Sequence, residues 1–235
     1  MKNSKKNLTL GLVAGALLVA ATAGAQTTVT IDPSAPWIGY MNVFSLPQDG
    51  GGYQFGSSWG TADLTAVFAG PVLTLGTNNI NDPNVYWYRG GGAPGAQGNK
   101  TMDANMYVQV ADGSLSGQTL TFDGTVLSNT LFGHVDSLGN GWTSVAFIKD
   151  FSADYSSFVQ TTVSMNPGNF SISQALSADP GHHIQYGFET IGSDVWATDA
   201  ANFGNIQLTA VPEPASLIAL GAGLLIAAKR RRSTR

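Results

Sequence analysis

The sequence of 235 residues contains no cysteine. Disulfide bonds are therefore excluded, and with them the small cross-linked scaffolds whose stability depends on such bonds. The stability of the folded protein must come from apolar packing, hydrogen bonds or a bound metal rather than from cross-links. A chain of this length can bury a core large enough for that, because a domain of about 150 residues buries roughly 70% of the surface of its unfolded chain.

Basic residues are scarce outside the two ends of the chain. Of the 11 Lys and Arg residues, eight lie in residues 1–25 and 211–235, whereas 14 of the 15 Asp and Glu residues lie in residues 26–210. The central segment thus has 14 acidic and three basic side chains, a formal net charge of −11. This balance argues against nucleic acid as a partner, because binding to phosphates requires basic surface. Two interpretations of the acidity stay open: solubility through net charge, and oxygen ligands for a structural calcium ion.

Several motifs of catalytic and metal sites are absent as well. The chain has no P-loop lysine motif, no His-Glu-x-x-His zinc motif and no Asp-x-Asp-x-Asp-Gly calcium loop. A glycosidase requires two carboxylates beside a cleft, but spacing does not choose a pair among 14 acids. We therefore predict a protein without catalytic residues, and the sequence leaves any metal ligands unknown.

The N-terminal segment has the three parts of a secretory signal peptide. Its basic residues are Lys2, Lys5 and Lys6, and the apolar run Leu8–Ala21 follows them. Ala23 and Ala25 supply the small-x-small pattern that signal peptidase requires, so cleavage is predicted to leave Gln26 as the first residue of the mature chain. We assign residues 1–25 to the signal peptide, and signal peptidase is the first predicted partner.

The C-terminal segment, residues 211–235, combines three features in a fixed order. Pro212, Glu213 and Pro214 come first, the apolar run Ala215–Ala228 comes second, and four basic residues come last: Lys229, Arg230, Arg231 and Arg232. The run is a little shorter than the ~20 apolar residues that span a bilayer as a helix. It predicts a temporary transmembrane anchor whose basic end stays in the cytoplasm, with the preceding chain outside. The prolines keep the chain ahead of the helix extended and accessible to a processing enzyme.

This order resembles the PEP-CTERM sorting domain of Gram-negative bacteria, which begins here as Val211-Pro212-Glu213-Pro214-Ala215-Ser216-Leu217. The resemblance implies a second partner, exosortase, which is a membrane-embedded transpeptidase-like protease. It also implies cleavage near the Pro-Glu-Pro motif. The expected localisation is an exported precursor anchored transiently in the inner membrane, and then the cell surface or the extracellular space. An ordinary C-terminal membrane anchor is the alternative.

Residues 26–210 consist of short runs rich in Val, Ile, Thr, Phe and Tyr, separated by Gly, Asn, Asp and Pro. Thirteen of these runs have the period-two alternation of β-strands, and Val85–Tyr88, Asn105–Val110 and Ile184–Ile191 are three of them. No amphipathic helix and no internal repeat interrupts them. We therefore predict an all-β fold with one domain, a single antiparallel β-sandwich between the signal peptide and the transmembrane sorting helix.

Three stretches of this domain resemble jelly-roll carbohydrate-binding modules: residues 98–102, 117–122 and 204–209. They read Gly-Asn-Lys-Thr-Met, Gly-Gln-Thr-Leu-Thr-Phe and Gly-Asn-Ile-Gln-Leu-Thr. In that superfamily a Gly-x-Thr-Leu-Thr-Phe strand crosses the sandwich, and the closing strand returns beside the first. The resemblance implies a jelly-roll-like sandwich. It does not identify a function, because one fold hosts many unrelated sites.

The aromatic segment Val85–Arg89 is the first candidate site. On a strand, Tyr86 and Tyr88 would lie on one face, and Trp87 and Arg89 on the other. A face outside the core would present aromatic rings, which stack on the apolar faces of sugars and also have a polar edge. The alternative is that both faces are buried, one in the core and one beneath the glycine-rich loop 90–98, since large aromatic residues are mostly buried.

The alternating segment 183–189 is the second candidate site. Three apolar residues are expected to face the core: Ile184, Tyr186 and Phe188. The opposite face then consists of His183, Gln185 and Glu189, with Gly187 between them. The glycine gap could admit a ligand, and a His with a Glu could bind a metal or transfer a proton. An ordinary solvated strand face is the alternative.

Together these observations predict an exported, exosortase-processed protein of the cell surface or the extracellular matrix. We expect it to be non-catalytic and to bind glycans, with extracellular polysaccharide as its partner. Two alternatives remain. One is a polysaccharide-acting enzyme, either a glycoside hydrolase or a lyase, and the other is a structural matrix protein without a ligand.

Overall fold

The computed structural model describes residues 24–211. In this range the chain forms twelve β-strands and two short 3-10 helices, Pro47–Asp49 and Ala197–Phe203. The strands are β1 (Gln26–Thr30), β2 (Ile38–Ser45), β3 (Tyr53–Trp59), β4 (Ala66–Ala69), β5 (Val72–Gly76), β6 (Lys100–Val110), β7 (Thr119–Asn129), β8 (Thr143–Phe151), β9 (Phe158–Ser164), β10 (Gly168–Ala175), β11 (His183–Ser193) and β12 (Asn205–Thr209).

Both predicted targeting segments lie largely outside the described residues. They include Ala23 of the signal-peptidase site, residues 212–214, the apolar run and the basic residues 229–232. In the part of the chain that the structure describes, no helix is long and apolar enough to cross a membrane.

The strands form two sheets. Sheet A contains β4, β5, β12, β1, β7 and β10, and sheet B has the strand order β3-β2-β6-β11-β8-β9. The sheets pack face to face around one apolar core. At its centre, the ring of Phe122 in sheet A lies 5.4 Å from the ring of Tyr186 and 5.5 Å from that of Phe188 in sheet B. The predicted all-β sandwich is confirmed.

The prediction of a purely antiparallel sandwich is wrong for one strand pair. β1 pairs with β7 in parallel, so that Gln26 lies opposite Thr119. β12 pairs antiparallel with the later part of the same edge of β7, while β10 takes the other edge. The first and last strands therefore follow one another along one edge of β7. Parallel pairing is possible here because far more than a dozen residues connect β1 to β7.

Period-two alternation in β6 and β11 divides sheet B into a core face and an outer face. The core residues of these strands are Met102, Ala104, Met106, Val108, Ile184, Tyr186 and Phe188. The predicted inward orientation of the three β11 residues is confirmed. The residues between them point to the outer face, on the side of sheet B away from sheet A.

The predicted strand Val85–Tyr88 is wrong, because this segment forms a turn. The side chain of Asn84 accepts the amide N–H of Tyr86 at 2.8 Å, and the carbonyl of Asn84 accepts the N–H of Trp87 at 3.0 Å. This is how Asn begins a turn through its own side chain. The aromatic residues predicted a strand, but the preceding Asn decides the local structure. Each of the other twelve predicted strands overlaps one of the strands β1 to β12, although several bounds differ.

Candidate functional site

A cleft of about 870 Å³ lies on the outer face of sheet B. Its walls are side chains of β2, β3, β6, β8, β9 and β11, together with Tyr155 from the loop between β8 and β9. The volume falls within the range of roughly 300 to 1,000 Å³ that is typical of small-molecule sites. This cleft is therefore the leading candidate site in the described residues.

The register of the strands arranges eight polar side chains of the cleft in two rows. The first row consists of Gln109, Gln185, Lys149 and Gln160, and the second row of Ser58, Tyr40, Asn105 and Glu189. Within the first row, the amide of Gln185 donates to Oε1 of Gln109 at 2.9 Å. Both rows thus cross several strands, and each offers hydrogen-bond donors and acceptors.

An apolar strip lies between the two rows. Tyr107, Gly187 and Phe147 are cross-strand neighbours there, on β6, β11 and β8. Phe147 is fully buried although its neighbours in sequence face the core, and the Nζ atom of Lys149 lies 4.1 Å from its ring centroid. A Cβ atom at position 187 would lie 2.1 Å from the carbonyl oxygen of Met106, so the close approach of β6 requires glycine. Of these three residues, Tyr107 lines the cleft, whereas Phe147 is covered by Lys149.

A hydrogen-bonded network links the charged side chains. Lys149 Nζ donates to Oε2 of Glu189 at 2.7 Å and to Oδ1 of Asn105 at 2.9 Å. The amide of Asn105 in turn donates to Oδ1 of Asp103 at 2.7 Å, and the amide of Asn42 donates to Oδ2 of Asp103 at 3.1 Å. The one lysine of the cleft is thus held between two polar partners.

Asp103 is the cleft residue whose ionisation is most perturbed. Burial and, to a lesser extent, the negative charge of Glu189 raise the pKa of Asp103 to about 6, against the opposing effects of the hydrogen bond from Asn42 and the positive charge of Lys149. When Asp103 is ionised, the cleft contains two carboxylates and one ammonium group.

Exposed aromatic rings form one end of the cleft. Tyr155 is 48% exposed and Phe158 is 53% exposed, and Phe151 lies beside both, with ring centroids 5.5 Å and 4.8 Å away. Tyr155 has a φ of +58°, a region that residues other than glycine seldom occupy. Asp154 holds this turn by accepting hydrogen bonds from Ser156, which lower the pKa of Asp154 to about 2. Strain of this kind often marks functional sites.

The structure brings two residues of the second candidate segment into the cleft. Gln185 and Glu189 line it, as members of the two polar rows. His183 lies at its edge, where its ring stacks on that of Tyr155 with centroids 4.3 Å apart, and its Nε2 lies 3.2 Å from the carbonyl oxygen of Ala153. His183 thus supports the position of Tyr155.

The first candidate segment lies away from the cleft and does not line it. Tyr88 is fully buried, and its hydroxyl lies within hydrogen-bonding distance of the carbonyl oxygens of Ile80 and Val195, to either of which it can donate. Trp87 is half-buried beside the core. Tyr86 is 37% exposed, and the ammonium group of Lys100 lies 4.2 Å from its ring centroid.

The sequence reading missed most of the cleft. Eight residues that line the cleft were not predicted as site residues: Tyr40, Asn42, Asp103, Asn105, Tyr107, Gln109, Lys149 and Tyr155. On β6 the signal was present, since polar residues at 103, 105 and 109 alternate with the apolar core residues of the same strand. The predicted strand began at Asn105 and so omitted Asp103.

The calcium interpretation stays a prediction. Among residues 24–211, no three His, Asp or Glu side chains converge in a way that could hold a metal ion. Backbone carbonyl oxygens also bind calcium, without any cluster of carboxylates.

Comparison with known proteins identifies the C-terminal segment. Residues 210–232 match the PEP-CTERM protein-sorting motif, which implies an exported, membrane-anchored precursor that is later processed by an exosortase. No curated protein matches the chain.

One solved structure resembles the β-domain weakly. It contains the N-terminal CBM22-1 and GH10 modules of endo-1,4-beta-D-xylanase 10B from Clostridium thermocellum, complexed with xylohexaose. The identity is 8% and the TM-score is 0.25, over 61% of this chain and 27% of that chain. The match thus spans about a quarter of the other chain, and the sandwich fold described above rests on strand pairing alone.

Proposed function

We propose that this protein is a non-catalytic glycan-binding protein of the cell surface or the extracellular matrix, and that the cleft on sheet B is its binding site. The observation that carries the proposal is the combination of two polar rows with exposed aromatic rings in one cleft. Sugars present hydroxyl groups at their edges and apolar C–H surfaces on their faces. The polar side chains of the two rows can bond to the hydroxyl groups, and Tyr155 and Phe158 can stack on the faces.

We further propose how the protein reaches its place of action. Signal peptidase would remove residues 1–25, the C-terminal helix would anchor the precursor transiently in the inner membrane, and exosortase would process it near residues 212–214. A jelly-roll arrangement of the sandwich is part of the same proposal. It is supported by the first and last strands, which share one edge of β7.

Binding to a glycan array, followed by titration with the bound polysaccharide, tests the proposal. The full chain is purified in detergent, and Gln185→Ala and Tyr155→Ala are compared with Tyr53→Ala. Tyr53 is 59% exposed and lies outside the cleft, so it controls for the loss of an exposed tyrosine. We expect each cleft variant to weaken binding about tenfold, because a stacked or hydrogen-bonded contact is worth roughly 1–2 kcal/mol. If the protein binds no glycan on the array, the proposed function fails and the alternative of a structural matrix protein without a ligand is favoured. Equal affinity in all variants would show that the glycan binds outside the cleft.

A specific observation also favours the hydrolase alternative. Asp103, with its raised pKa of about 6, shares the cleft with Glu189, and a glycosidase needs one protonated and one ionised carboxyl group. The cleft residue Ser58 lies in Gly-Ser-Ser-Trp-Gly, which has the letters of a Gly-x-Ser-x-Gly motif. It does not form the strand-to-helix turn of that motif, because it lies within β3 and pairs with β2.

Reducing-sugar release from a bound polysaccharide separates the two functions. An enzyme would show turnover that Asp103→Asn abolishes while binding persists. A binding protein would show no turnover in either form.

A further inference from the structure

The three basic side chains of the described residues are all engaged by other groups. Arg89 forms an ion pair with Asp49. Lys100 places its ammonium group over the ring of Tyr86 and donates to the carbonyl oxygen of Asn99 at 3.1 Å. Neither of these two lines the cleft.

Lys149 is the basic residue that does line the cleft, and its charge is already neutralised. Its Nζ atom lies 2.7 Å from Oε2 of Glu189, and the side chains of the pair are only 11% and 17% exposed. An additional anion would have to compete with this partly buried pair. It would also face the carboxylate of Asp103, which lines the same cleft.

The remaining polar groups suit hydroxyl groups. Amide side chains offer both N–H donors and carbonyl acceptors, and a sugar hydroxyl can donate and accept at once. Carboxylates only accept, so Asp103 and Glu189 can bind a hydroxyl donor but repel a second carboxylate or a sulfate. The net charge of −11 in residues 26–210 adds a general repulsion of polyanions.

We propose that the cleft selects uncharged, hydroxyl-rich polysaccharides and rejects acidic ones, with Glu189 as the residue that sets this selectivity. The inference rests on the proposed function, namely that the cleft binds a glycan. Glu189 has two effects: it adds a negative charge, and it occupies the ammonium group that a uronate or sulfate would otherwise bind.

The first experiment measures binding of the full chain to polysaccharides of different charge. Xylan and a β-glucan serve as neutral probes, and alginate and polygalacturonate serve as acidic probes. We expect the acidic probes to bind at least about tenfold more weakly than a neutral probe at low salt, since like charges a few ångströms apart repel by more than the ~1.4 kcal/mol that corresponds to tenfold. Affinity for the neutral probe should change less than about twofold with salt, because salt screens interactions between charges and this probe has none.

The second experiment reverses the selectivity. Glu189→Gln keeps the size of the side chain but frees Lys149, and it should strengthen binding to alginate about tenfold or more at low salt. Asp63→Asn is the matched control, because it removes one exposed acid outside the cleft and changes the net charge equally. The double variant Lys149→Gln with Glu189→Gln should lose the gain. Circular dichroism of each variant checks that the sandwich is intact.

The outcomes separate the inference from the proposed function. Failure of every probe to bind would overturn both. Binding of acidic probes as tight as that of neutral ones would overturn the charge selectivity and leave the glycan site standing. An equal gain of alginate binding in Asp63→Asn and Glu189→Gln would assign the effect to net charge, and would overturn the role of Glu189.

Discussion

Asp194 follows β11 and is almost completely buried, with 1% of its surface exposed. Its Oδ1 atom accepts the backbone N–H of Lys100 at 3.0 Å, whereas its Oδ2 atom has no hydrogen-bond partner in the described residues. Burial raises the pKa of Asp194 from 3.8 to about 7. In the folded protein this carboxyl group is therefore protonated at pH 5, while in the unfolded chain it is ionised.

The sign of the resulting pH dependence follows from proton binding. Between pH 3.8 and about 7 the folded state binds more protons than the unfolded state, so stability falls as the pH rises through this window. From pH 5 to pH 8 the contribution of Asp194 is a loss of roughly 2.5 kcal/mol, because one pKa unit corresponds to about 1.4 kcal/mol. For a domain of this size, such a loss lowers the Tm by about 5 to 10 °C.

Thermal unfolding at pH 5 and pH 8, followed by circular dichroism, measures the effect. The isosteric variant Asp194→Asn cannot ionise, so it should lose most of this pH dependence. Asp103→Asn is the control at a second buried carboxyl group. It should lose less, about 1.5 kcal/mol, because the pKa of Asp103 is raised only to about 6. If Asp194→Asn keeps the full pH dependence of the natural protein, Asp194 is not the buried acid inferred here.

Three further predictions concern other parts of the chain. Tyr88→Ala should cost about 3–5 kcal/mol of stability and Tyr86→Ala little, because the first ring is buried and the second is exposed; equal losses of Tm would contradict this assignment. A Cβ atom at Gly192 would lie 2.0 Å from the buried indole of Trp142, so Gly192→Ala should lower the stability by about 1–3 kcal/mol in urea unfolding. Alanines at residues 212–214 should leave an uncleaved, membrane-bound precursor in the native host, whereas normal processing on immunoblots would refute the role of the motif.

The sequence predicts which side chains of β11 share a face, but it does not predict which residues of other strands lie beside them. Alternation shows which side chains of one strand share a face, and it placed Gln185 and Glu189 together correctly. It cannot show that Asn105 lies opposite Glu189, since the two are far apart in the chain and their register is fixed by packing of the whole core. The cleft exists only through this register. It could therefore not be predicted from any single strand.

The strand prediction for the aromatic segment Val85–Tyr88 was wrong for a different physical reason. Tyr, Trp and Val favour strands because they pack well on a pleated sheet, but this preference depends on context. At Val85–Tyr88 the context is Asn84, whose side chain accepts a backbone N–H and begins a turn. A local hydrogen bond thus outweighs the β-propensity of four residues. This stretch therefore forms a turn that packs Tyr88 and Trp87 against the core, and the candidate site lies on the strands of sheet B.

The cleft and the strand that precedes the sorting motif belong to different sheets. β12 ends at Thr209 in sheet A, between β7 and β5, and the motif begins at residue 210. The cleft lies on the outer face of sheet B, and packed sheets are about 10 Å apart. No strand contributes residues both to the cleft and to the start of the motif. Substitutions at well-separated sites act nearly independently, so variants in the cleft should leave processing unchanged, and variants in the motif should leave glycan affinity unchanged.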